Sequence, residues 1–288
     1  MNSVPFAFYD AVTRFCHKTS LTCCRDLSGV VGVAYSKTYR ILGYETFSVD
    51  NGGLQKKSSR TWFDDEPISI AITRNYKYCT TIYFKGSDEE SSTESEAINA
   101  LLAYRNVPDV CLCFETSFVS KAIEESINSL RFVSELSFNP GIAGIVLKLM
   151  QILVPKKTLN EIGFDDDYEF DDETASLFLD LLKQTQFYHA TLPNNPKSNF
   201  MLDRIIAEWR ENSEEFVGKL FWTGIFLPET YYQESEIREC SEEEKRYLNL
   251  YYPHTRLEKS NNLHILKNCN RGSIYWMKFN RGAILWFA

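Results

Sequence analysis

The stretch VSELSFN, Val133–Asn139, sets the apolar residues Leu136 and Phe138 against Glu135, Ser137 and Asn139. Alternation of this kind predicts a strand with one buried and one wetted face. The pattern recurs along the chain. Leu112/Phe114, Leu136/Phe138, Ile162/Phe164, Ala190/Leu192 and Leu220/Trp222 have first positions 24, 26, 28 and 30 residues apart, and an earlier copy lies at Ile82/Phe84. Spacings in this range point first to an array of supersecondary units.

Helical patterns lie between the copies. Val119, Ile123, Ile127 and Leu130 recur on one helical face, as do Ile145, Leu149, Ile152 and Leu153. Leu177, Leu181 and Leu182 form a third face, and Leu202, Ile205, Ile206 and Trp209 a fourth. Helix starts are marked by Pro140, by the acids Asp171–Glu173, and by Ser198 or Asn199. A strand–loop–helix–loop unit calls for parallel strands, because antiparallel neighbours need only a tight turn. A doubly wound sheet is covered on both faces and asks for continuously apolar strands. The alternation here predicts an α/β fold of another kind, a leucine-rich-repeat-like solenoid with helices on one side of its strands. A layered α/β domain is the alternative.

Composition narrows the function classes. Apolar residues make up 44% of the 288-residue chain and the formal net charge is -8, which disfavours a nucleic-acid partner. The longest apolar stretch, residues 141–154, is interrupted by Lys148 and Gln151 and is too short to span a bilayer. The N-terminus carries no secretory pattern, and the eight cysteines show no zinc-type CxxC pairing, so reduced thiols and a cytoplasmic or nuclear location are expected.

The two ends differ from the middle. Residues 1–42 read as helices, with Phe8, Val12 and Phe15 on one face and Leu27, Val30, Val31, Ala34 and Tyr35 in a second segment. Residues 43–288 form the rest, β-rich from Glu45 to Phe84, where Asn51-Gly52 suits a hairpin turn. An acidic helix is expected over Glu234–Leu250, followed by three short strands as a terminal cap.

The opening Val4-Pro5-Phe6, a short helix with Val12 and Phe15, and a second helical segment ending in Ser36-Lys37-Thr38-Tyr39 resemble an F-box. Tyr39 stands where the family commonly has Trp, and the acidic residue that often follows the Pro is missing. Together with the strand–helix recurrence, the chain resembles nematode-type F-box-like proteins with a leucine-rich-repeat-like (F-box-associated) C-terminal region. The resemblance implies a small N-terminal helical F-box-like cap that docks on the Skp adaptor of a cullin-RING ubiquitin ligase through Val4, Pro5, Phe6, Val12, Phe15, Val30 and Tyr39. The second half would then hold a substrate protein on its wetted strand face, with Glu115, Glu135, Ser137, Asn139, Glu161 and Asp165 facing it. A plain helical cap on a repeat-type protein-binding module with no ubiquitin-ligase link is the alternative.

Chemistry-bearing motifs are sparse. The run FDDDYEFDDE, residues 164–173, has seven carboxylates in its last nine residues. It lacks the Gly and the closing Glu of an EF-hand, and reads as a solvated loop opening a helix or a contact for a basic partner. SDEESSTESE, residues 87–96, has the composition of a mobile surface loop with acid-flanked serines. His17, His189, His254 and His264 share no metal-ligand spacing, and GxGxxG, GxxxxGK[ST] and GxSxG motifs are missing. Neither a cofactor nor an enzymatic activity is expected.

Overall fold

The computed structural model describes residues 29–40, 42–50, 53–61, 77–85, 94–105, 107, 109–115, 119–139, 143–195, 199–223, 237–251, 263–268, 272–279 and 282–287. They fall in two compact units, Met1–Ser137 and Phe138–Ala288. Alternating strands and helices make the fold α/β.

In the first unit, helix α1 (Gly29–Arg40) precedes a hairpin of β1 (Leu42–Asp50) and β2 (Gly53–Thr61). Then come β3 (Lys77–Phe84), α2 (Glu94–Ala103), β4 (Asp109–Phe114), α3 (Lys121–Ser129) and β5 (Val133–Phe138), whose last residue enters the second unit. The strand order is β2-β1-β3-β4-β5, with β1, β3 and β4 parallel. Register places Ile82 beside Leu112 and Phe84 beside Phe114, and the last two rings stack at 4.6 Å. Ser120 caps α3 by accepting the Ile123 N–H, and Ile127 and Leu130 are buried as their spacing predicts.

The second unit begins with α4 (Ala143–Leu153), a 3-10 turn (Val154–Lys156) and β6 (Glu161–Gly163). It continues through α5 (Asp172–Leu182), β7 (His189–Leu192), α6 (Asn199–Glu211), α7 (Ser213–Phe216) and β8 (Leu220–Thr223). Last come β9 (Ile237–Glu239), α8 (Glu242–Tyr251), β10 (Leu263–Asn268), β11 (Gly272–Phe279) and β12 (Gly282–Phe287). The strand order is β6-β7-β8-β12-β11-β10-β9, parallel through β8 and antiparallel beyond it.

Two aromatic groups hold this unit. Phe164 lies 6.0 Å from Phe138, 5.1 Å from Tyr168, 4.7 Å from Phe170 and 5.5 Å from Phe178. Phe287, near the C-terminus, lies 6.2 Å from Trp209, 5.5 Å from Phe216 and 4.9 Å from Phe221, so it fastens β12 to α6, α7 and β8. Polar contacts set the helices against one another. Gln151 bonds Glu173 at 2.9 Å, and Lys183 meets Glu208 at 2.6 Å. Gly218 has φ +82, which lets the chain turn from α7 into β8 without the strain a side chain would bring.

The leucine-rich-repeat-like solenoid expected from the recurrence is not what the chain forms. In a solenoid each unit packs only on its sequence neighbours. Here β12 returns to pair with β8, and the order behind it runs backwards in antiparallel fashion. Strands range from 3 residues in β6 to 9 in β1, and helices from 4 residues in α7 to 13 in α6. The strands are also not bare on one side throughout. Phe221, Leu285 and Phe287 are buried on one face of β8 and β12, while Ile284 is 7% exposed on the opposite face. Cys111 is likewise buried on the face opposite Leu112. The Leu220/Trp222 pair is also out of phase. Ala190 pairs with Phe221 and Thr191 with Trp222, so Phe221 points into the core and Trp222 away from it.

The acidic C-terminal run is a strand and then a helix rather than one helix. The break falls at Ser241, whose hydroxyl accepts the Glu244 N–H at 3.3 Å while the Glu244 carboxylate accepts the Ser241 N–H at 2.9 Å. This reciprocal capping starts α8. The Asn51-Gly52 turn and residues 1–28 lie outside the described residues.

Two stability measurements follow. Phe178 is fully buried in the first aromatic group, so Phe178→Ala should cost about 3–5 kcal/mol in urea-induced unfolding. Lys219 is 2% exposed, and its Nζ donates to the Gln184 and Phe187 carbonyls at 2.8 Å each. Burial lowers its ammonium to about 8 from an ordinary value of 10.5. A neutral amine keeps both donated bonds, and between those pH values the unfolded chain binds the extra proton. The Lys219 contribution to stability should therefore rise from pH 8 to 10.5. Comparing wild type with Lys219→Met across that window isolates it, and a flat difference contradicts the assignment.

Candidate functional site

The strands of the second unit align two rows of side chains. Neighbours in register share a side of the sheet, because the side-chain period is two on every strand. Glu161 lies beside His189, His189 beside Leu220, Leu220 beside Trp286, and Trp286 beside Tyr275. Two residues further along the strands, the second row runs Gly163, Thr191, Trp222, Ile284.

The rows change character from one side to the other. Leu220, Tyr275 and Trp286 pack against a buried cluster of Cys240, Ile265 and Ile284, and the Tyr275 and Trp286 rings stack at 5.3 Å. At the other side the face is polar. Tyr188 donates its hydroxyl to one Glu161 oxygen, and His189 Nδ1 lies 3.4 Å from the other. Trp222 stands between these regions with 49% of its surface exposed. In the same row Thr191 presents a short side chain next to Trp222, and Gly163, one strand further, presents none.

Negative charge lies at the β6 end of this face. Asp165 accepts the Asp167 N–H at 3.1 Å as the chain leaves β6, and Asp166 and Asp167 are exposed. The later acids of the run serve the fold. Asp171 caps α5 by accepting the Thr174 N–H at 2.7 Å, and Asp172 faces Arg204 at 3.4 Å. The favourable interaction of carboxylates with a helix N-terminus accounts for them.

The residues expected to face a substrate divide between the units. Glu115, Glu135 and Ser137 belong to the first, and Asn139, Glu161 and Asp165 to the second; all six are half-buried. Lys85 pairs with Glu115 at 2.6 Å, and Tyr83 lies beside Cys113. Burial raises the Tyr83 phenol above its ordinary range, and Cys113, Glu135 and Glu115 push it further in the same direction. The structure thus gathers Glu115 and Glu135 around Tyr83. A buried pair lies nearby in sequence, where Ser134 donates its hydroxyl to Asp109.

Of the residues expected to dock on an adaptor, Val4, Pro5, Phe6, Val12 and Phe15 lie outside the described residues. Tyr39 is within the last turn of α1. Val30 is 50% exposed on that helix, while Ala34 is buried. Cys111, Cys113 and Cys240 are in no disulfide, and Cys111 Sγ lies 4.0 Å from the Ser134 hydroxyl. Among the described residues, no group of three or more His, Cys, Asp and Glu is arranged to hold a metal ion, and no helix is long and apolar enough to cross a membrane.

Trp222 is the residue that the sequence pattern misassigned. Leu220, Phe221 and Trp222 are all apolar, so alternation alone allows either phase. The buried Thr223 shares the phase of Phe221, and a strand neighbour was needed to choose. The chain matches no family model, no curated protein and no solved structure.

The β8 register predicts opposite outcomes for adjacent aromatics. Phe221→Ala should cost about 3–5 kcal/mol, as for a buried Phe. Trp222→Ser should cost less than about 1 kcal/mol, as for a surface site. Chemical denaturation of the two variants reads the difference, and equal losses would mean that the register is shifted.

Proposed function

We propose that the chain is a protein-interaction adaptor, and that the face bearing Glu161, His189 and Trp222 receives a protein partner. The observation that carries this reading is the half-exposed Trp222 at the junction of a stacked aromatic surface and a carboxylate–imidazole pair. Tryptophan in such a setting can shed much apolar area while polar groups beside it set orientation.

The more specific reading makes the chain a substrate-recognition subunit of a Skp–cullin–F-box ubiquitin ligase, working in the cytoplasm or nucleus. It rests on the F-box resemblance of residues 1–42. The exposure of Val30 on α1 supports it. Without the ligase link, the same face describes a protein-binding module.

Binding of the full chain to purified Skp adaptor, measured by biolayer interferometry, tests the specific reading. Wild type should bind, and Val30→Asp should weaken binding by about tenfold or more, as for loss of an interface anchor. A wild-type chain that does not bind removes the ligase link and leaves the protein-binding module.

A further inference from the structure

We propose that the Trp222 face takes an extended, basic segment of its partner, with one arginine or lysine side chain lying over the Trp222 ring and a second reaching Glu161. This rests on the reading of that face as a protein-binding surface, and adds the chemistry and spacing of the occupant.

Charge and shape both favour this occupant. The exposed ring presents a π-face, and a guanidinium or ammonium is attracted to it, most strongly for Trp. The charged side chains described at the β6 end of the face, Glu161 and Asp165, are carboxylates, followed by the exposed Asp166 and Asp167. Glu161 holds Tyr188 and His189 through separate oxygens, and so is kept in place to meet an incoming cation. A formal charge of -8 on the whole chain also speeds the approach of a basic segment and opposes that of a phosphate backbone.

The spacing comes from the sheet. Glu161 and Trp222 lie two strands apart laterally and two residues apart along the strands. At about 4.8 Å per strand and 3.3 Å per residue, that separation is about 12 Å. Side chains at i and i+4 of an extended peptide project to the same side about 13 Å apart, which matches. The i+2 side chain then falls over β7 between His189 and Thr191, where a small residue avoids crowding those two side chains. The expected motif is basic-x-small-x-basic.

A fluorescein-labelled heptapeptide with arginine at its second and sixth positions and alanine elsewhere is the probe, titrated with the full chain and read by fluorescence anisotropy. The expected result is saturable binding that weakens as salt is raised, because exposed charge pairs are screened. Trp222→Ala should weaken it by about tenfold or more, and Trp222→Phe should retain most of it. Glu161→Gln should weaken binding and flatten its salt dependence. Circular dichroism of each variant confirms that the fold is kept.

The proposal is overturned if the peptide does not bind, if a glutamate-for-arginine counterpart binds as tightly, or if a peptide with adjacent arginines does so. Unchanged binding by folded Trp222→Ala overturns it as well. Adaptor binding through α1 is read separately, so a failed peptide titration beside intact adaptor binding removes this occupant and leaves the adaptor reading standing.

Discussion

A strand places adjacent side chains on opposite faces, and the second unit depends on how that constraint is met at Phe221 and Trp222. Two large aromatics in sequence cannot share one core. β12 resolves the choice by pairing with β8 so that Leu285 lies beside Phe221 and Ile284 beside Trp222. Phe287 then reaches Trp209, Phe216 and Phe221 together. Residues near the C-terminus thereby fix the phase of a strand more than sixty positions earlier, and with it the face on which Trp222 stands. The buried Lys219 reinforces that phase, since its ammonium ties the start of β8 to the Gln184 and Phe187 carbonyls.

The same pairing explains why the strand–helix recurrence does not propagate as a solenoid. A one-sided array needs each unit to bury its apolar face against the next and to leave the opposite face wet. Once the chain turns back through β9–β12, apolar side chains accumulate on both faces, with Ile265, Ile284 and Cys240 buried opposite Phe221 and Leu285. The wetted character survives along β6 and β7, where Glu161, His189 and Thr191 are half-exposed. Among the described residues the exposed part of this face is polar at Glu161 and His189 and aromatic at Trp222.

Electrostatics divide the acidic residues into those that build and those that are left over. Asp171 and Asp172 spend their charge on the start of α5 and on Arg204, while Asp166 and Asp167 stay exposed at the strand end. In the first unit, Glu115 is engaged by Lys85, and the burial of Tyr83 among Cys113, Glu135 and Glu115 makes that face a packed polar surface. The strand-facing carboxylates legible in the sequence therefore do not form a uniform set. Glu161 meets a phenol and an imidazole, whereas Glu115 meets a lysine.

The sequence by itself determined the alternation of strands and helices from Ile82 to Thr223, the buried faces of Leu136/Phe138 and Ile205/Trp209, and the strands described within the β-rich stretch from Glu45 to Phe84 and near the C-terminal end. Those features follow from local periodicity, which each segment carries within itself. Candidate residues Glu161 and Asp165 were legible for the same reason, as the polar phase of an alternating strand. Only tertiary structure decided the return of β12 to β8, the burial of both faces there and the exposure of Trp222. A run such as Leu220-Phe221-Trp222 is apolar in both phases, so its side chains are sorted by the strand that pairs with it, and that strand is distant in the chain.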